Sequence, residues 1–240
     1  MRLKPTDTYH LSFSLSSVMW PSAVVLSRWL LSNPQVLSQA SQVMEIGAGC
    51  GLVGLLAARL LQKQWEQSSN TKTVIKGKKS TPKPRVILTD FNRKVLDNLQ
   101  SNISLNEVED ICETTGLDFY QQSGTSQSGW LDMEGQQRAA VPIILAADMI
   151  CQPADATCAA RTIHDALVSG GKAYVVCADA AHRFGVDHFA RECAAVGLDV
   201  TAQSVADLCP ALVQGPDMEK TTGYVEGMNL TMFFIEKPKQ

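Results

Sequence analysis

Apolar positions along this chain alternate between short continuous runs and helical spacing, with glycine and proline at the joins. From Pro21 to Leu31, Val24, Val25, Leu26, Trp29 and Leu30 recur at helical intervals and stop near Asn33-Pro34. Gln42 to Ile46 reads as a short strand, Gly47 to Gly51 as a turn, and Leu52 to Leu61 as a buried helix. Val86 to Leu88 begins a second strand that ends at Thr89-Asp90, and Asn92 to Leu105 is an amphipathic helix carrying Val95, Leu96, Leu99 and Ile103. Ile111 to Thr115 is a weak third strand. Val141 to Ala146 is continuously apolar, as a strand covered on both faces would be. A helix follows from Ala154 to Leu167, ended by Gly170-Gly171, then a fifth strand from Lys172 to Cys177 and a helix from Val186 to Ala195 stopped by Gly197. Leu198 to Ser204 and Asn229 to Ile235 are late strands with no evident helix between them. Strands alternating with helices predict an α/β fold with a doubly wound, mostly parallel sheet; the late pair predicts an antiparallel edge strand.

Two segments interrupt this rhythm. Residues 62–85 are polar and carry Lys63, Lys72, Lys76, Lys78, Lys79, Lys83 and Arg85 against the single acid Glu66. They read as a disordered basic insertion, with a basic arm for an acidic or nucleic-acid partner as the alternative. Residues 120–140, rich in Gln, Ser and Gly, read as a polar loop over one edge of the sheet. The 240 residues fit one domain, 1–240, without internal repeats.

Charge and cysteine usage narrow the class. A net charge of −3 does not suit a nucleic-acid coat or a polybasic membrane binder. The longest apolar stretch, Gly51 to Leu61, is broken by Arg59 and is about half of the roughly 20 residues a span requires. Met1 to His10 is polar, without a signal-peptide core. Seven scattered cysteines without Cys-x-x-Cys, and four histidines not spaced as helical ligand pairs, point to a reduced compartment and no structural metal. The expectation is a cytoplasmic monomer, with nuclear entry left open, that binds no metal, membrane or nucleic acid.

The chemistry concentrates at strand ends. Glu45-Ile46-Gly47-Ala48-Gly49-Cys50-Gly51 lies where a strand meets a helix, and a Gly-x-Gly turn there opens the crevice in which open α/β sheets bind ligands. No Gly-Lys-Ser/Thr follows, which excludes a P-loop. The dinucleotide string is met only two residues late, by Gly49-Cys50-Gly51-Leu52-Val53-Gly54. Asp90, after the second strand, stands where an acid binds ribose hydroxyls, or else caps the next helix. Asp148 follows the fourth strand beside the same crevice, and could orient a nucleophilic amine or cap a helix.

These residues together resemble the seven-β-strand S-adenosylmethionine-dependent methyltransferases, with a Rossmann-like sheet of class I type. The resemblance rests on Glu-Ile-Gly-Ala-Gly-x-Gly-Leu, on Leu88-Thr89-Asp90 with Asn92, Asn98 and Asn102, on Leu117-Asp118-Phe119, and on Ala146-Ala147-Asp148. Upstream, Val18 to Leu26 with Trp20, and downstream Leu230-Thr231-Met232, are similar to methyltransferase family 16, largely protein-lysine methyltransferases. The resemblance implies S-adenosylmethionine as cofactor, held by Glu45, Gly47, Ala48 and Gly49 at the turn and by Asp90 at the ribose. Trp20 would close the pocket, Phe119 would lie near the adenine, and Ala147 would add a backbone contact. Asp148 would be the catalytic residue, the carboxylate that opens the family's Asp-x-x-Tyr-like motif at the substrate channel and orients the amine, and the partner a protein substrate offering a lysine. The chain departs from the family at Cys151, where an aromatic is usual, with Phe184 as a candidate substitute and His182 and Arg183 as candidate substrate contacts. A small-molecule or non-lysine acceptor, a non-catalytic interaction protein and a dinucleotide oxidoreductase are the alternatives.

Overall fold

The computed structural model describes residues 18–38, 40–72, 82–122, 129–179, 183–221, 223–225 and 227–239, with no account of the side chains of 70–72. A helix, α1 (Pro21–Ser32), precedes β1 (Gln42–Ile46), α2 (Leu52–Lys72), β2 (Arg85–Asp90), α3 (Arg93–Leu105) and β3 (Cys112–Gly116). A hairpin of β4 (Trp130–Leu131) and β5 (Gln137–Arg138) leads to β6 (Val141–Ala147), α4 (Pro153–Ala166), β7 (Leu167–Ala178) and α5 (Val186–Ala195). The chain ends with β8 (Asp199–Ser204), the short helices α6 (Val205–Leu208) and α7 (Pro216–Glu219), and β9 (Leu230–Glu236).

Seven strands form one sheet in the order β3-β2-β1-β6-β7-β9-β8. β3, β2, β1, β6 and β7 run parallel, and β9 is antiparallel to both β7 and β8. This is the doubly wound, mostly parallel sheet with an antiparallel strand that the hydrophobic pattern predicts. The strand order reverses between β1 and β6, so their carboxyl ends open the crevice where ligands bind in such sheets.

Two cores flank the sheet. On one face Val25, Leu26 and Leu30 of α1, Val53 and Leu55 of α2, and Leu99 and Ile103 of α3 pack on Val43, Leu88 and Leu145. On the other, Ala156, Ala159 and Ile163 of α4 and Phe189 of α5 pack on Met44, Ile144 and Val175. Adjacent residues of β1, Val43 and Met44, thus serve opposite cores, as the two-residue strand period requires.

Three expectations need correction. The segment 62–85 is not one disordered insertion: α2 continues through residues 62–72, and Arg85 opens β2. Gln, Lys and Glu are good helix formers, and tertiary contacts hold the extension. Gln64 Nε2 donates to Pro34 O (3.1 Å), and the Lys83 ammonium lies 5.4 Å from the Trp65 ring centroid. Lys83 and Arg85 are also ion-paired within the fold, to Asp110 (2.6 Å) and Glu113 (2.7 Å). Residues 73–81 of that segment lie outside the described residues. The segment 120–140 is not a plain loop: it holds the β4–β5 hairpin, anchored by Trp130 in the second core, while 123–128 lie outside the description. Finally, Gly170-Gly171 do not separate a helix from a strand. Leu167 already pairs with Val141 of β6, and the glycines fall within β7, where the β6–β7 register shifts.

Candidate active site at the carboxyl edge of the sheet

β1 ends at Ile46, and the chain reverses through Gly47, Gly49 and Gly51, whose φ angles are 66°, 53° and 84°. Side-chain-bearing residues adopt this left-handed region rarely, which is why the turn is glycine-rich. The turn is tied to its neighbours on every side. Ala48 N donates to Thr89 O (2.8 Å), Gly49 N to Asp90 Oδ2 (3.2 Å), and Asn102 Nδ2 to Cys50 O (3.0 Å). Met149, two residues past the end of β6, faces it: a Cβ on Gly47 would lie 3.4 Å from the Met149 Cβ.

Asp90 does not cap α3. That role belongs to Asn92, whose side chain accepts from Lys94 N (3.0 Å). Asp90 instead accepts from Gly49 N through one oxygen and from Asn92 N (2.9 Å) through the other. Burial pushes its pKa up, opposed by the N–H groups of Asn92, Gly49 and Phe91. A carboxylate has about four acceptor positions, so these N–H groups leave room for a hydroxyl donor. The buried acid beside a close-approach turn fits a ribose, and Phe119 stands on the same side of the sheet, past the carboxyl end of β3, whose Gly116 pairs with Asp90. Phe119 starts a 3-10 turn capped by Asp118, which accepts from Tyr120 N (2.9 Å). The residues present therefore fit S-adenosylmethionine: Gly47, Ala48 and Gly49 would hold its methionine part, Asp90 would meet the ribose and Phe119 would lie toward the adenine.

Glu45 lies elsewhere. Strand parity directs it to the α2 face, where its carboxylate accepts from Gly54 N (2.9 Å). Burial drives its pKa from 4.5 to about 8, the Gly54 N–H opposing and the Asp90 charge adding. Its place is under the turn, holding α2 to β1. Between pH 4.5 and about 8 the folded chain keeps a proton that the unfolded chain releases. Stability therefore falls as pH rises through that window, by up to about 1.4 kcal/mol per unit. Glu45→Gln retains an oxygen acceptor for Gly54 and loses the proton. We expect the urea midpoint of the native chain to decline more steeply between pH 5 and pH 8 than that of the variant, which keeps only the smaller contributions of the other buried acids; parallel declines would refute the assignment.

On the other side of the crevice stands Asp148, directly after Ala147 at the end of β6. Its φ of 51° places a non-glycine residue in the left-handed region, a conformation that surrounding bonds must hold. Asp148 N donates to Val176 O (2.9 Å), and Oδ1 accepts from Ala178 N (3.0 Å). It caps no helix: α4 begins at Pro153, with Gln152 at its N-cap position. Burial raises the Asp148 pKa, against the Ala178 N–H, the Arg183 charge and Ser22 in the first turn of α1. Arg183 Nε lies 3.9 Å from Asp148 Oδ1, and the guanidinium lies 4.7 Å from the ring centroid of Trp20, just before α1.

Cys151 is exposed at this rim. Phe184 is 73% exposed, and a ring so open does not enclose an ammonium in place of the missing aromatic. His182 lies outside the described residues.

One connection has only a faint trace in the sequence. The Asp155 carboxylate accepts from Cys151 N (2.8 Å), from Gln152 N (3.0 Å) and from the Tyr120 hydroxyl. It joins the Phe119–Tyr120 turn to the loop after Asp148, and that bond pushes the Tyr120 pKa up to about 12. The available signal was proline at the first helical position of α4 with an acid two residues later, a capping pattern.

A family model described as lysine methyltransferase matches residues 8–191. An uncharacterised protein of Dictyostelium discoideum is 35% identical over 107 residues, 45% of this chain and 23% of that protein. The protein-lysine N-methyltransferase EFM2 of Saccharomyces cerevisiae is 27% identical over 146 residues, 56% of this chain and 30% of that protein. The matches thus span under a third of the length of these relatives. Among solved structures, the [4+2]-cyclase SpnF superposes with a TM-score of 0.57 at 12% identity, covering 89% of this chain and 81% of that one. The O-methyltransferase TomG of Streptomyces achromogenes, solved with S-adenosylmethionine, gives 0.51 at 11% identity, covering 95% and 91%. At such identities the superpositions establish the fold.

Proposed function

The chain belongs to the lysine methyltransferase family, and from that premise we propose that it transfers the methyl group of S-adenosylmethionine to the side-chain amine of a lysine in a partner protein. The observation that carries the cofactor assignment is the buried Asp90 carboxylate, bonded to Gly49 of the glycine turn with acceptor positions to spare. The cofactor supplies an electrophilic methyl carbon, so the chain's own tasks are alignment and exclusion of water. Gly47, Ala48 and Gly49 bring bare backbone to the methionine part, and Trp20 closes the crevice from the start of α1. Asp148 orients the amine. A lysine, whose ordinary pKa is roughly 10.4, must arrive neutral, and desolvation beside positive charge favours that form.

The described elements form the methyltransferase unit. Cys151 supports a second reading: without a ring face at that position the acceptor could be another residue or a small molecule. Among the described residues no helix is long and apolar enough to cross a membrane.

Cell extract incubated with the protein and methyl-labelled cofactor tests the acceptor. Label that enters protein, and that co-migrates with methyllysine after acid hydrolysis, is the expected result. Label confined to small molecules would favour the second reading. No transfer would leave an interaction protein on a cofactor fold.

A further inference from the structure

A flat aromatic face beside a buried carboxylate is the arrangement with which proteins hold an ammonium or guanidinium. Trp20 and Asp148 form such a pair at the crevice, and the chain itself provides the cation. The Arg183 guanidinium lies 4.7 Å from the Trp20 ring centroid, and its Nε lies 3.9 Å from Asp148 Oδ1. The Asp148 side chain is 2% exposed and that of Arg183 is 19% exposed.

The backbone holds Arg183 in place. Arg183 N donates to Asp179 O (3.0 Å), and Val186 N to Arg183 O (3.3 Å). Gly185 packs so closely on the loop after Asp148 that a Cβ there would lie 2.3 Å from the Gln152 carbonyl oxygen. The pair also adjoins the glycine turn, since Met149, next to Asp148, faces Gly47. This cation position therefore opens on the edge of the crevice where methyl transfer would occur.

We infer that Arg183 is the resident occupant of the acceptor's cation site, and that an incoming amine binds only by displacing it. The inference rests on the reading of this crevice as the site of methyl transfer to an amine. It makes Arg183 a specificity determinant. A free alkylammonium gains little at a site already filled by a guanidinium, whereas a protein surface that draws Arg183 outward opens the site for its lysine. Cys151 bears on the same point: it is exposed on this rim and supplies no ring, so Trp20 is the aromatic face beside Asp148.

Two experiments test it. The first needs no cofactor. n-Butylammonium, a lysine side-chain analogue, is titrated into the native protein, Arg183→Gln and Arg183→Ala, with binding followed by tryptophan fluorescence and the fold checked by circular dichroism. The vacated site should bind the amine about tenfold more tightly, or better, in both variants. Equal affinity in all three proteins would overturn the inference.

The second experiment places an acceptor in the site. In Arg183→Lys the neutral amine introduced at 183 can attack the methyl carbon of added S-adenosylmethionine. Its lone pair forms the new C–N bond, the C–S bond breaks with its electron pair left on sulfur as S-adenosylhomocysteine, and solvent takes the proton. Mass spectrometry should find one to three methyl groups at residue 183. An unmodified residue 183, in a preparation whose native counterpart methylates extract protein, would overturn the inference and leave the proposed function standing. If neither protein transfers label, the proposed function fails, and the amine titration alone decides whether the cation site is real.

Discussion

Asp90→Ala should weaken binding of both S-adenosylmethionine and S-adenosylhomocysteine by about a hundredfold. A charge-assisted hydrogen bond is worth about 1.5–3 kcal/mol, and a ribose offers two hydroxyls to this carboxylate, so even a partial loss reaches the roughly 2.7 kcal/mol that a hundredfold represents. The truncation also removes the acceptor for Gly49 N and Asn92 N, loosening the turn that must lie against the ligand. Both ligands should suffer alike, because they share the ribose and differ at the sulfur. Asp90→Asn separates the two contributions. It keeps the volume and one oxygen, but its amide turns a donor toward a position where a backbone N–H already donates. Titration calorimetry on the native chain and both variants reads the effect. Affinities within threefold of native for a folded Asp90→Ala would remove Asp90 from the binding site.

Gly54→Ala should destabilise the fold by about 2 kcal/mol, although helix propensity alone argues the reverse. Alanine in a helix interior is favoured over glycine by up to about 1 kcal/mol. Here the added Cβ would lie 2.0 Å from Leu88 Cδ2 and 2.5 Å from Glu45 Oε2. Both neighbours are buried, Leu88 in the core and Glu45 at 2% exposure, so neither can swing into solvent. Overpacking of this kind costs about 1–3 kcal/mol, and loss of the Glu45–Gly54 bond adds to it. A lowered urea midpoint with an unchanged slope would confirm the loss. A variant as stable as native, or more so, would show that α2 can move off the sheet. The result would also explain the late fit to the dinucleotide glycine string. Gly54 is the glycine of close helix–strand packing, a requirement that nucleotide-binding sheets share whichever cofactor they hold.

The elements whose signals are local were legible in the sequence. The strand at Gln42–Ile46 and the helix at Val186–Ala195 fall where periodicity and stop signals place them. The glycine turn and the acid that ends β2 were legible for the same reason, because a strand end, a tight turn and a helix start each leave a mark within a few residues. Alternation of strands and helices was enough for the doubly wound sheet and its antiparallel strand, since parallel neighbours demand crossovers and the late strands lack one.

What the tertiary structure decided depends on contacts between distant parts of the chain. Residues 62–72 look like an insertion because they are polar, yet they extend α2 where Gln64 and Trp65 find partners at Pro34 and Lys83. Gly170-Gly171 look like a stop, yet pairing of Leu167 with Val141 draws them into β7. Glu45 belongs to the motif that suggests cofactor binding, but strand parity turns it to the α2 face, and periodicity cannot say which face each helix will cover. Trp20, Asp148 and Arg183 were each visible as single residues. Only the tertiary structure, which sets Trp20 before α1 and Arg183 before α5 beside the end of β6, joins them into one cation site.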